Sequence, residues 1–363
     1  MKKYKRIVIK VGTKVIASSQ RALNVERMKD IVSQIARIID EGAGVVLVTS
    51  GAIGAGMSLL GLKKRPAQLA ELQATAAIGQ NHLMHLYSEL FRPFKLHVGQ
   101  ILLTQEDFND RSRYLNIKHT INALIAHKAV PVINENDTVA TEEIKCGDND
   151  RLSSLVADLC GADLLVLLTD VDGLLDGEGS VIGEVGEVTP KILKLAGKSA
   201  CDLGTGGMAT KIEAARYAAG AGIDCVIANG KEKGVIRKIV IDGEARGTIF
   251  RAGGNKFIAK KRWIAFSSRS KGTICIDSGA QMALCERNKS LLASGIIGLE
   301  GVFRSGDVVA VAGPEGREIA RGVVNYSSGD LAKIKGLSSA KFKAALGCEG
   351  PDEIIHKDNL VIL

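Results

Sequence analysis

The segment Asp202 to Ala219, DLGTGGMATKIEAARYAA, sets Gly204, Gly206 and Gly207 directly before an apolar run of helical period that carries Lys211 near its start. A glycine turn opening a helix suits an anion, because the first-turn N–H groups lack intrahelical partners and the helix dipole is positive there. The order departs from the common phosphate motifs. A P-loop needs G-x-x-x-x-G-K-[ST], whereas in this chain the threonine precedes the lysine, and the G-x-G-x-x-G fingerprint is missing. On its own the segment reads either as a phosphate cradle or as a flexible turn before an ordinary helix.

Other polar residues fall at the ends of apolar runs. Lys10 interrupts IVIKVG, where it either snorkels to solvent or acts on a bound anion. Two lysines from opposite sides, with Mg²⁺, would supply the charge neutralisation that phosphoryl transfer needs. In VTSGAIGAG, Val48 to Gly56, Ser50 is followed by Gly51, Gly54 and Gly56, small residues that let backbone N–H groups approach a carboxylate or phosphate. A tight helix-start turn is the equal alternative, and valine at 48 argues against the G-x-S-x-G elbow of hydrolases.

CGDNDRLSSLVADL, Cys146 to Leu159, packs Asp148, Asn149 and Asp150 before a helix. Asp150 is either a helix cap or a carboxylate that holds a substrate ammonium group or fixes the two lysines by ion pairing. The run lacks the ligand spread of an EF-hand. His82 and His85 have no third ligand nearby and read as surface or packing residues, so no metal site is expected. No Ser/His/Asp arrangement stands out as a triad.

These residues need a scaffold that gathers strand ends. The runs at 6–11, 44–50, 98–104, 130–134, 164–170 and 224–229 read as buried strands, several apolar on both faces, and helical-period segments separate them. In NVERMKDIVSQIARIIDEG, Val25, Met28, Ile31, Val32, Ile35, Ile38 and Ile39 share one stripe, with Asn24 as N-cap and Gly42 as stop. The alternation predicts an α/β domain with a doubly wound, mainly parallel sheet, which binds ligands at the carboxyl ends of its strands. That edge would collect Lys10 and Gly12, Thr49 to Gly51, Asn134 to Asp137, and Thr169 with Asp170. After about Phe250 the chain turns rich in glycine, serine and basic residues, then gives short β-like pieces. The expected division is a first domain at 1–252, a linker at 253–268 and a small β-rich domain at 269–363.

Composition bounds the partners. The 363 residues, 46% hydrophobic and 24% charged, suffice for a sizeable core. Seven cysteines without a C-x-x-C pair favour reduced thiols in a cytoplasmic protein over a disulfide frame or a zinc site. The start MKKYKRIVIKVGTKV does not read as a signal peptide, and no apolar run reaches membrane-spanning length. The net charge of +8 suits anionic partners such as nucleotides, acidic metabolites or RNA. Residues 255–363 hold 16 Lys+Arg and 11 Asp+Glu, so most of that excess lies in the tail.

Taken in order, IVIKVGTKVI, LVTSGAIGAG, LLTQEDFNDRSRYLN, VPVINENDTV, GDNDRLSSLVA, LLTDVDGLL and GTGGMATKIEAA resemble the glutamate-phosphorylating branch of the amino acid kinase family, and IDSGA, SLLASGI and GVFRSGDVVAV resemble a PUA domain. The resemblance implies ATP-dependent phosphorylation of the L-glutamate γ-carboxylate to γ-glutamyl phosphate, the first step toward proline, with Mg²⁺. It implies catalytic roles for Lys10, Lys211 and Asp150, and glutamate contacts for Ser50, Asp137, Asp148 and Asn149. Its ATP site would take in Lys10, Gly12, Thr169, Asp170, Thr205, Gly206, Gly207, Met208, Ala209, Thr210 and Lys211. Proline as feedback inhibitor, homo-oligomeric assembly and RNA as a ligand of the PUA-like tail follow from the same likeness. Where many relatives have KVGSS, this chain has KVGTK, placing Lys14 where a small hydroxyl residue is usual. The competing readings are a kinase of another small carboxylate and an RNA-binding PUA protein with a kinase-like domain. Against the latter, Phe303, Tyr326 and Phe342 read equally as core residues.

Overall fold

The computed structural model describes residues 4–17, 23–108, 110–139, 149–195, 207–253, 264, 270–347 and 350–362. The chain divides into two compact units, Met1–Lys256 and Phe257–Leu363.

The first unit is built on eight strands: β1 Arg6–Val11, β2 Gly44–Val48, β3 Val98–Leu103, β4 Val130–Glu135, β5 Leu164–Thr169, β6 Glu184–Val185, β7 Asp224–Asn229 and β8 Thr248–Phe250. They form one sheet in the order β3-β4-β2-β1-β5-β7-β8-β6. The pairs are parallel except β7 with β8. The reason lies in the side chains: LLVLLT of β5 is buried at every position, as a strand covered on both faces must be. From β1 the chain lays down β2, then β3 at the edge and β4 between them, and returns across β1 to lay down β5 and β7. The direction of winding thus switches beside β1, and ligands of doubly wound sheets settle at the carboxyl ends there. Register puts Lys10 of β1 opposite Val48 on one side and Leu167 on the other, so the polar residues following those strands share an edge.

Seven helices matter for that edge: α1 Thr13–Ile16, α2 Val25–Asp40, α3 Ala52–Leu59, α4 Leu69–Phe91, α5 Arg111–Ala126, α6 Asp150–Cys160 and α7 Met208–Gly220. In α2 the Asn24 side chain accepts from the Arg27 N–H at 3.0 Å, the expected cap, and Met28, Ile31, Val32, Ile35 and Ile38 are buried. Val25, expected on that stripe, is exposed in the open first turn of the helix. Gly51 enters α3 with φ +97°, a left-handed conformation that favours glycine. A Cβ on Gly56 of α3 would stand 1.9 Å from the Thr75 carbonyl oxygen of α4, and one on Gly79 of α4 would stand 1.8 Å from the Ala52 carbonyl oxygen of α3. The two helices therefore meet backbone to backbone. Any side chain at either glycine would drive apart the helix that follows Ser50 and the helix that carries Gln80 and Tyr87.

The second unit holds a five-stranded sheet in the order β11-β9-β12-β13-β15 and a two-stranded one, β10-β14. Its strands are β9 Gly272–Ile276, β10 Leu291–Leu292, β11 Ile296–Gly301, β12 Val308–Ala312, β13 Glu318–Val323, β14 Glu353–Ile355 and β15 Leu360–Ile362. Phe303, Tyr326 and Phe342 are all buried in its core, with the Tyr326 and Phe342 rings edge to face at 5.9 Å. Cys160, Cys225, Cys275 and Cys285 are free thiols. Cys146, Cys201 and Cys348 lie outside the described residues.

The α3–α4 contact gives a direct expectation. Gly79→Ala should lower unfolding stability by at least about 1–3 kcal/mol, the usual penalty of overpacking. Chemical denaturation of the variant measures this, and an unchanged midpoint would contradict the backbone contact.

Candidate active site

The edge where β1, β2, β4 and β5 end is closed by the N-termini of α6 and α7. At its centre Asp150 is fully buried and receives two ammonium groups. Lys10 Nζ lies 2.7 Å from Asp150 Oδ1 and Lys211 Nζ lies 3.0 Å from Oδ2. The Thr210 hydroxyl donates to the same Oδ2 at 2.9 Å. Lys10 and Lys211 are themselves 2% and 6% exposed, so the charges are held away from bulk water, where each acts more strongly on a neighbour.

Local chemistry explains the placement. Lys10 follows the buried residues Ile7, Val8 and Ile9 on β1, so its long stem stays packed while the ammonium reaches past the apolar layer. Asp150 is the first residue of α6, where the helix dipole favours a carboxylate. The helix cap position belongs to Asn149, and the Asp150 side chain serves the lysines. Of the two sequence alternatives, ion pairing is the one realised. Lys211 projects from the first turn of α7, whose cap residue is Gly207. Gly12 is held by its N–H to the Leu168 carbonyl at 3.1 Å, and a Cβ there would stand 3.7 Å from Lys10 Nζ.

Beside this charged centre lies a chain of neutral amides. Asn149 Nδ2 donates to the Thr49 carbonyl at 2.5 Å and to Asn134 Oδ1 at 2.6 Å, with a longer contact of 3.3 Å to Ser50 Oγ. Asn134 Nδ2 donates to Gln80 Oε1 at 2.7 Å. The Thr49 and Tyr87 hydroxyls are hydrogen-bonded at 2.9 Å. Burial pushes the Tyr87 phenol up to about 12, so it remains a neutral hydroxyl. Asp137 sits in the turn after β4. Burial pushes its carboxyl up to about 6, against the opposing pull of the Arg65 guanidinium.

A second charged group stands at the end of β5. Lys14 Nζ is 3.3 Å from Asp170 Oδ2, and the Thr169 hydroxyl donates to Asp170 Oδ1 at 3.3 Å. Burial raises the Asp170 carboxyl, but Lys14, a backbone N–H and Lys231 together hold it below the usual carboxylate range.

The structure thus gathers Lys10, Lys211, Asp150, Thr210, Asn149 and Ser50 around one centre, and places Gly12, Thr169, Asp170, Gly207, Met208 and Ala209 at the adjoining strand and helix ends. Asp148, Thr205 and Gly206, with Gly204, lie outside the described residues. Thr49 and Asn134 were expected at this edge without a role of their own, whereas Gln80 and Tyr87 were not among the sequence candidates. For Gln80 the available signal was a glutamine on the buried side of a helix, next to a glycine in close backbone contact.

Removing the shared carboxylate should be severe. Asp150→Ala removes the carboxylate that both buried ammonium groups share, and a loss of about 3–5 kcal/mol is expected, the cost of breaking a buried ion pair. Urea unfolding measures it; a loss below about 1 kcal/mol would mean that the lysines find water instead.

Comparison with known proteins bears on what this arrangement serves. Residues 5–229 match the amino acid kinase family and residues 272–346 match the PUA domain. The chain is 48% identical to the glutamate 5-kinase of Caldanaerobacter subterraneus subsp. tengcongensis over 99% of its length and 98% of the relative's. To the glutamate 5-kinase of Moorella thermoacetica it is 47% identical, over 99% of this chain and 96% of that one. The solved UMP kinase of Bacillus anthracis is similar at a TM-score of 0.47 and 16% identity, covering 69% of this chain and 97% of that one, a likeness that carries no argument about substrate. With two buried lysines converging on one carboxylate at the switch point of the sheet, and with identity near one half along its whole length, the chain belongs to the amino acid kinase family and, within it, to the glutamate 5-kinases.

Proposed function

We propose that the chain transfers the γ-phosphoryl group of ATP to the γ-carboxylate of L-glutamate, giving γ-glutamyl phosphate and ADP, the first step toward proline. The observation that carries this reading is the pair of buried ammonium groups fixed on Asp150 beside Ser50 and Asn149. In the reaction a γ-carboxylate oxygen bonds to the γ-phosphorus as the bond from that phosphorus to its bridging oxygen breaks, and ADP leaves with the electron pair. The nucleophile is already anionic at neutral pH, so no general base is needed. The task is to bring two anions together and to stabilise the charge spread over the equatorial oxygens.

Lys10 and Lys211 supply that charge, and Asp150 orients both. Gly12, Thr169, Asp170 and the stretch from Thr205 through Gly206, Gly207, Met208, Ala209 and Thr210 to Lys211 line the ATP side. Lys14, anchored on Asp170, adds a cation there. Ser50, Asn149, Asp137 and Asp148 receive glutamate. Asp137 and the Asn149 carbonyl oxygen suit its ammonium group, and the Ser50 hydroxyl, met only by the longest of the Asn149 contacts, can turn to the substrate. Mg²⁺ enters as part of the Mg·ATP substrate, held by phosphate oxygens and water, its usual mode of binding. Among the described residues no group of three ligating side chains is placed to cage a metal on protein donors alone.

Proline presents a carboxylate and an ammonium like the backbone end of glutamate, so feedback inhibition at the same acceptors belongs to this reading, as do homo-oligomeric assembly and a cytoplasmic location. No described helix is long and apolar enough to cross a membrane. An RNA-binding role draws no support from Phe303, Tyr326 and Phe342, whose rings are committed to the core and not free for base stacking.

Purified protein with Mg·ATP should form hydroxylamine-trapped acyl phosphate with glutamate and not with aspartate, N-acetylglutamate or UMP. In the same assay Lys211→Ala should lower kcat by about two to three orders of magnitude with little change in glutamate KM, because its charge acts on the transition state. Near-normal turnover would remove Lys211 from the mechanism. The acid limb of the pH profile reports on Asp137. Below about 6 its carboxyl is protonated and neutral, and its attraction for the substrate ammonium is lost. Glutamate KM should therefore rise as pH falls through about 6, and Asp137→Asn should raise KM at neutral pH and abolish that limb; an unaltered limb in the variant would assign it to another group.

A further inference from the structure

The amide chain has a direction, and two backbone groups set it. The Glu135 N–H, which can only donate, gives its hydrogen to Asn134 Oδ1 at 2.9 Å. That makes the other end of Asn134 a donor, and its acceptor is Gln80 Oε1 at 2.7 Å. At the far end the Thr49 carbonyl, which can only accept, takes a hydrogen from Asn149 Nδ2 at 2.5 Å, and the second hydrogen of that nitrogen goes to Asn134 Oδ1 at 2.6 Å. Both Nδ2 hydrogens of Asn149 are thereby used. Among the described residues Asn149 Oδ1 accepts from none, and it is not among the fully buried polar atoms lacking a partner.

Gln80 is the unexpected member. Its residue is 8% exposed, and among the described residues its Nε2 is buried without a partner. A buried N–H without a partner is unfavourable, so the donor end of this side chain adds nothing to stability. The acceptor end clamps the Asn134 amide, which would otherwise be held only through its oxygen and could turn about its terminal torsion.

We propose that Gln80 is a positioning residue for the amino-acid substrate: through Asn134 it locks the Asn149 amide with its oxygen facing the site, as an acceptor for the substrate ammonium group. This rests on the reading of Asn149 as a glutamate contact. Gln80 touches neither substrate nor ATP, and its effect is confined to one substrate.

Gln80→Met keeps the length and bulk of the side chain and removes the acceptor. It exchanges one unpaired buried N–H, at Gln80, for another, at Asn134, so the melting temperature should stay within a few degrees. Glutamate KM should rise about tenfold, as expected for one lost buried hydrogen-bond partner, with ATP KM unchanged within about twofold. Gln80→Glu, which still offers an oxygen to Asn134, should keep glutamate KM within about twofold of the parent and tests the proposal even if the methionine variant does not fold. In the Asn149→Ala background Gln80→Met should add no further loss, since the two act in series. Equal rises in both KM values, an unchanged glutamate KM in folded Gln80→Met, a tenfold rise in Gln80→Glu, or additive losses in the double variant would each overturn the proposal. An unchanged glutamate KM in Asn149→Ala would instead overturn the assignment of Asn149 on which it rests.

Discussion

One buried carboxylate holding two ammonium groups sets the terms for the rest of the first unit. An ion pair withdrawn from water is favourable only when its geometry is tight and the remaining lone pairs are met. Asp150 satisfies this by using both oxygens and by sitting where the α6 dipole favours negative charge. The two lysines, 2% and 6% exposed, then hold their charges at the strand ends, in a setting with little water to screen them. In the proposed reaction that concentration of charge is what an anionic phosphoryl group would use. It is available only because β1, α6 and α7 converge, and the parallel sheet with its switch beside β1 is what makes them converge.

The site uses a different material on each side. In the proposed reaction phosphate chemistry needs strong fields, for which the site offers lysines and helix ends. The proposed amino-acid substrate would need donors and acceptors set in fixed directions, for which the site offers neutral amides tied to backbone groups. The Gly56 and Gly79 contacts belong to this second arrangement: by letting α3 and α4 touch, they keep Gln80 within reach of Asn134. A larger residue at 79 would therefore disturb the substrate side while leaving the lysines seated on Asp150.

Much of this was legible in the chain. The buried runs announced a parallel sheet because a strand covered on both faces cannot alternate in polarity, and the lysine inside IVIKVG and the one after the glycine turn stood out as charges in apolar surroundings. The role of Asp150 was not decidable locally. A carboxylate at a helix start looks the same whether it caps the helix or pairs with a lysine 140 residues away. Asn134 was placed at the right edge by its strand end but without a role, and Gln80 was less legible still, since an amide's function lies in which atom faces which neighbour. Val25 fitted the periodicity of α2 yet lies exposed, because a period defines a face and not how far along it the partner extends. Lys14 was visible only as a departure from the pattern; its ion pair with Asp170 gives that departure a location.

The sequence separations within the charged centre carry a consequence for the birth of the protein on the ribosome. Lys10 emerges first and waits 140 residues for its carboxylate, which then waits a further 61 for Lys211. Until α7 is made, the nascent chain holds only the first of the two lysine contacts to Asp150. The charged centre is thus completed late in synthesis, with the docking of a helix whose own start is meaningful only against a finished sheet.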